Sequence, residues 1–74
     1  MNTPMNDLLN ALIRNEERGG AAEMTISEAR SVLEWANLRG VPSGTEAFAV
    51  FLRGFGFKVS QRAAGTQTRH IVSL

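Results

Sequence analysis

The chain has 74 residues, of which 43% are hydrophobic and 20% are charged, a composition typical of a folded domain and not of a disordered tail. It has no cysteine and one histidine, which excludes disulfides and essentially excludes a structural zinc site. It has no apolar run near the roughly 20 residues of a membrane-spanning helix, and its N-terminus lacks the features of a signal peptide. We therefore expect one domain over residues 1–74, located in the cytoplasm and without membrane contact.

The charges are unevenly distributed along the chain. Residues 1–46 carry four arginines against seven carboxylates, a net charge of −3. Residues 47–74 carry Arg53, Lys58, Arg62 and Arg69 and no acid, so the whole chain has a net charge of +1. Such asymmetry is typical of proteins that contact nucleic acid or an acidic surface, although four cations in this length are a modest density.

The first helix is predicted at about residues 4–18. Thr3 can cap its N-terminus and Pro4 suits the first helical position, while Gly19 and Gly20 end it. Its apolar residues recur with the spacing of one helix face: Met5, Leu8, Leu9, Leu12 and Ile13.

The second helix is predicted at about residues 26–39, between a capping box formed by Thr25 and Glu28 and a stop at Gly40. The preceding segment, residues 21–25, is either a short strand or a linker. The expected buried stripe of this helix consists of Ala29, Val32, Leu33 and Ala36, widened on one side by Trp35 and Leu38.

The third helix is predicted at about residues 44–54, after a turn of little more than residues 40–42. Ser43 and Glu46 form a second candidate capping box. The residues expected to face the core follow helical spacing: Phe48, Phe51, Leu52 and Phe55. The same aromatic side chains could stack on bases, but their spacing favours a core.

A β-hairpin is predicted over about residues 57–74, because the period changes from helical to two after Gly56. Phe57 and Val59 alternate with polar residues, and Gly65 suits a turn that needs positive φ. The expected fold class is therefore α+β, a winged helix-turn-helix with three helices, a C-terminal hairpin wing and an optional short strand before the second helix. Element order alone leaves other small α+β folds open.

In residues 29–74, a helix with an aromatic residue runs into a short Gly/Pro turn, the next helix carries a Phe and ends in a Gly-Phe pair, and the hairpin closes on an Arg followed by alternating aliphatics. With these features the segment resembles the C-terminal winged-helix module of phage and plasmid primase-helicases of the D5 type. The resemblance covers roughly two thirds of the chain, and it departs from the family in the hairpin, where His70 and Ile71 stand in the region that usually holds a tryptophan. It implies a nucleic-acid-binding module of mobile-element origin. The matching positions are Trp35, Gly40, Pro42, Ser43, Phe48, Leu52, Gly56, Phe57, Arg69, Val72 and Leu74.

Double-stranded DNA is the predicted partner, with the third helix in the major groove and the hairpin on the backbone. Base contacts are expected from Thr45, Ala49 and Arg53, and a backbone N–H of Ser43 could meet a phosphate at the helix N-terminus. Lys58 and Arg62 are expected on one face of the hairpin. The predicted phosphate contacts are Lys58, Arg62 and Arg69.

Other interpretations stay open at this stage. The hairpin cations could simply be solvated charges that discourage edge pairing. The main alternative function is a protein-protein interaction module, an inhibitor or adaptor, and a homodimer through the first helix is a further option. His70 has no neighbouring nucleophile or acid that would suggest a triad, so we predict no enzyme activity, no cofactor and no metal.

Overall fold

The computed structural model describes residues 4–74, so the predicted cap at Thr3 lies outside the described residues. Over these described residues the fold is α+β, with three helices and a three-stranded antiparallel sheet. The predicted order of three helices followed by a hairpin is confirmed, and the segment left open between strand and linker contains a short strand before the second helix. The elements are α1 (Pro4–Glu17), β1 (Glu23–Thr25), α2 (Ile26–Trp35), α3 (Thr45–Gly54), β2 (Lys58–Ala64) and β3 (Gln67–Ser73).

All three helices end in a Schellman motif, in which the backbone turns left-handed just after the last helical residue. The residue in the left-handed conformation is a glycine after α1 and α3, Gly19 and Gly56 respectively. In α2 it is Asn37, with φ of 59°, and the amide of Leu38 donates to the carbonyl of Leu33 at 3.0 Å. The prediction that α2 runs to residue 39 is therefore wrong, because asparagine ends the helix before Gly40 is reached.

Of the two predicted capping boxes, the one at α2 forms and the one at α3 does not. At α2 the Glu28 amide donates to the Thr25 hydroxyl at 3.2 Å, and that hydroxyl donates to the Glu28 carboxylate at 3.1 Å. At α3 the capping residue is Gly44 and no side chain caps the helix, so the predicted box of Ser43 and Glu46 is wrong. Glycine is itself an accepted N-cap residue.

The connection between α2 and α3 covers residues 36–44 and is longer than predicted. Arg30 of α2 holds it in place by donating to the carbonyl of Pro42 at 3.0 Å and to that of Ser43 at 3.4 Å. The same guanidinium carbon lies 4.4 Å from the centre of the Phe48 ring. A cation over an aromatic face is attracted to it, so Arg30 fixes both the connection and the start of α3.

The sheet has the strand order β1-β3-β2. β2 and β3 are joined by the two residues 65–66, and Gly65 has φ of 66°, as predicted for this turn. Met24, Val72 and Val59 lie side by side across the three strands and are all buried. This row marks the sheet face that packs on the helices.

The core lies between that sheet face and the three helices. Its largest fully buried side chains are Phe48, Leu8, Leu12, Leu33, Leu52 and Val72. The helical spacing predicted most of this set, but two aromatic residues were placed wrongly. Trp35 is 89% exposed and Phe55 is 56% exposed, because α2 and α3 turn these positions away from the sheet.

The helices are short relative to a lipid bilayer. Across residues 4–74, no helix has the length and apolar character needed to cross a membrane.

Candidate nucleic-acid interface

The hairpin presents its cations on the sheet face opposite the core. Because side chains alternate along a strand and Val59 faces the core, Lys58 and Arg62 face away from it, as predicted. Arg69 joins them from β3, where it lies directly opposite Arg62 in the antiparallel register. All three side chains are exposed.

The pairing of Arg62 with Arg69 is electrostatically unfavourable. Directly opposed residues of antiparallel strands have Cβ atoms about 5 Å apart, and like charges in that position destabilise the pair. The repulsion is relieved when an anion lies between or beside the two guanidinium groups. One such anion is already present in the chain.

Glu23, at the start of β1, supplies that anion. Arg62 donates to both carboxylate oxygens of Glu23, at 2.7 and 3.0 Å, in a bidentate ion pair. The hydrogen bond from Arg62 lowers the pKa of the Glu23 carboxyl, and the same contact raises the pKa of Arg62. The sequence did not predict this pair, since it depends on β1 and β2 both flanking β3.

The ion pair also accounts for an apolar residue on the polar face. Ile71 is 7% exposed although it points away from the main core. In the register Ile71 lies beside Thr25 and Ser60, midway along the diagonal from Glu23 to Arg62. The joined side chains therefore cross over Ile71 and shield it from water.

The outward face of α3 differs from the prediction. Ala49 is 4% exposed and packs in the core, so its predicted role as a base contact is wrong. Val50 occupies the exposed position instead, at 65%. Thr45 is exposed as predicted, and Arg53 is exposed but also donates to the carbonyl of Val59 at 2.9 Å, which attaches the end of α3 to β2.

A cleft of about 270 Å³ separates α3 from the hairpin. Glu46, Val50 and Arg53 line it from α3, and Gln61 and His70 line it from the hairpin, where they are register partners. Gln61 was not among the predicted site residues, although the strand period, which places it on the same side as Val59, was an available signal. Its amide can donate and accept hydrogen bonds at a base edge.

The predicted site residues thus fall into two groups. Thr45 and Arg53 lie on α3, with Ser43 just before it, whereas the other three cations lie on the outer face of the hairpin. The Ser43 carbonyl accepts a hydrogen bond from Arg30. Because no side chain caps α3, the backbone amides of its first turn are available to an acceptor on a ligand. In the part of the chain from residue 4 onward, no three His, Asp or Glu side chains are grouped as a metal site would require.

Comparisons with protein-family models, with curated proteins and with solved structures gave no match to this chain.

Proposed function

We propose that the protein is a non-catalytic, duplex DNA-binding module of the winged-helix type that acts in the cytoplasm. The element order and the strand order β1-β3-β2 support this proposal, because they place a helix and a hairpin next to each other as that fold requires. The resemblance to D5-type primase-helicases supports a role as a small regulator or replication accessory of phage or plasmid type.

The observation that carries the proposal is the cationic outer face of the hairpin. Lys58, Arg62 and Arg69 lie on one sheet face, and two of them are directly opposed. A phosphate placed against this face gains charge-assisted hydrogen bonds from Lys58 and Arg69, which have no anionic partner within the described residues.

In this proposal α3 supplies the contacts to the major groove. Thr45 and Arg53 are exposed on it, and the uncapped amides beyond Ser43 can receive a phosphate. Gln61 replaces Ala49 as a candidate base contact, because it lines the cleft beside α3.

The first experiment is a fluorescence-anisotropy titration of a labelled duplex at several salt concentrations. Each phosphate neutralised contributes a slope of about −0.9 to the plot of log affinity against log salt. We expect a slope of about −2 to −3 from Lys58, Arg69 and Arg53, and Arg69→Ala should make it shallower by about one unit. The matched control is Arg39→Ala, which removes the same charge from the α2–α3 connection. The proposal fails if no duplex binds at low salt. It also fails if Arg69→Ala and Arg39→Ala make the slope shallower by the same amount.

Glu23→Gln is the most informative variant in this titration. The carboxylate of Glu23 competes with phosphate for Arg62, so its neutralisation should raise the affinity for DNA and steepen the slope by up to about one unit. Arg62→Ala alone should change the slope less than Arg69→Ala does, since Arg62 already has an anionic partner. The opposite ranking would mean that DNA displaces Glu23 from Arg62.

The second candidate function is a protein-protein interaction module. It is favoured by the exposed apolar side chains of Val50 and Phe55 on and after α3, and by Glu46 in the same cleft. Val50→Lys separates the two functions. The added cation should strengthen binding if DNA lies along α3, and it should leave DNA binding unchanged if that face meets a protein.

A further inference from the structure

A groove of about 480 Å³ runs between α1 and α2, away from the hairpin and from α3. Asp7, Asn10, Ala11 and Arg14 line it from α1. These four positions are spaced i, i+3, i+4 and i+7, so they form one stripe along the helix. The proposed DNA contacts use none of them.

Trp35 borders the groove from α2 and is 89% exposed. A tryptophan side chain presents about 150–250 Å² of mostly apolar surface, so this exposure is unfavourable in an isolated chain. Ala11 and Val32 are small neighbours that leave room beside the indole. The groove therefore offers an exposed indole, with space beside it, to another surface.

The charges along the stripe identify that surface. Asp7 and Arg14 lie at its two ends, two helical turns apart, and in residues 4–74 neither forms an ion pair within the chain. If a second α1 packs antiparallel to the first, with the two-fold axis at Asn10 and Ala11, each Asp7 faces the Arg14 of the second copy. A two-fold interface requires this property, because the same patch must be complementary to itself.

We propose that this groove, defined by Asp7, Asn10, Ala11, Arg14 and Trp35, is a homodimer interface. The two α1 helices pack antiparallel across the axis, two identical ion pairs form, and each Trp35 becomes buried against the second copy. An acidic or a basic partner fits less well, since the stripe carries one charge of each sign. The proposal does not depend on DNA binding, and its test contains no DNA.

The test uses sedimentation velocity together with the emission of Trp35, the single tryptophan of the chain. Between about 1 µM and about 1 mM protein, the range of weak association, the mass should rise toward that of a dimer. The emission maximum should move to shorter wavelength over the same range as the indole leaves water. A monomer mass with unchanged emission throughout this range overturns the proposal.

Charge reversal provides the specific test. Asp7→Arg and Arg14→Asp each replace two attractive pairs by two repulsive ones, so each should weaken self-association about tenfold or more. An equimolar mixture of the two variants should restore the dimer, because every Arg then faces an Asp. Both positions are exposed, and circular dichroism checks that each variant is folded. Failure of the mixture to associate better than either variant alone overturns the antiparallel arrangement.

Discussion

At the scale of single residues, Glu23 changes what the cationic hairpin can do. Its sequence neighbours give no indication of a partner, yet β1 places its carboxylate within 2.7 Å of the Arg62 guanidinium. Arg62 is therefore no longer an unpaired cation, and the ion pair shields Ile71 from water. A surface that carries three cations by sequence presents two that have no anionic partner within the described residues, Lys58 and Arg69.

The ion pair makes the stability of the fold depend on pH. The pKa of Glu23 in the folded chain lies below its ordinary value of 4.5, chiefly because of the hydrogen bond from Arg62. A lowered pKa contributes stability that is complete above the unfolded value and is lost as the pH falls through the folded value. When the pH falls from about 5 to about 2, the melting temperature of Glu23→Gln should decrease less than that of the wild type.

Thermal unfolding by circular dichroism checks this difference, with Arg62→Gln as the matched variant. Because the two side chains act as one pair, Glu23→Gln in an Arg62→Gln background should have no further effect on the pH dependence. An additive effect of the two substitutions would show that Glu23 has another stabilising partner. High salt should also reduce the difference, since 58% of the Arg62 side chain is exposed.

At the scale of elements, the end of α2 is decided by one asparagine. Asn37 adopts the left-handed conformation that lets the Leu38 amide reach the Leu33 carbonyl. Leu38 then packs against the core cluster that contains Leu33, and a hydrophobic contact at this position is typical of the motif. The early end of α2 also leaves Trp35 as its last residue, exposed at the rim of the groove with α1.

The left-handed conformation predicts a characteristic order of stability at this position. Asn37→Gly should be neutral within about 0.5 kcal/mol, because glycine adopts positive φ without a steric penalty but is more flexible when unfolded. Asn37→Ala should lower the free energy of unfolding by about 1 kcal/mol, and Asn37→Val by more. Urea unfolding gives these values. If alanine proved as stable as glycine, the left-handed turn would not be needed to end α2.

At the scale of the whole molecule, a small core makes each buried aromatic residue important. Phe48 is fully buried, contacts Arg30 through its ring face and stacks on Phe51 with ring centroids 6.2 Å apart. It therefore joins α2, α3 and the connection between them. Phe55 contacts Phe51 edge-on at 5.1 Å but is more than half exposed.

These two phenylalanines provide a matched pair of substitutions. Phe48→Ala should lower the free energy of unfolding by about 3–5 kcal/mol, a large part of the roughly 4–11 kcal/mol expected for a chain of this size. Phe55→Ala should lower it by no more than about 1.5 kcal/mol, the value of one aromatic contact. Chemical denaturation measures both. Equal losses would contradict the different burial of the two rings.

Local sequence patterns were enough to predict the three helices, the hairpin and their order, whereas the segment that forms β1 was left open between strand and linker. Helical spacing in the three apolar stripes, the capping box at Thr25 and the period of two after Gly56 are local signals, and the structure contains the elements that they predict. The hairpin turn at Gly65 was equally predictable, because only a few residues accept its backbone conformation. The common face of Lys58 and Arg62 followed from the strand period alone.

Which faces are covered and which charges meet depends on long-range packing. Spacing alone could not separate Ala49 from Val50 or Phe48 from Phe55, because a helix can be rotated by a fraction of a turn before its stripe ceases to match. The Glu23–Arg62 pair joins residues 39 positions apart in the chain, so no local pattern contains it. Only the position of β1 beside β3 brings these charges together, and that position follows from packing the whole chain around one core.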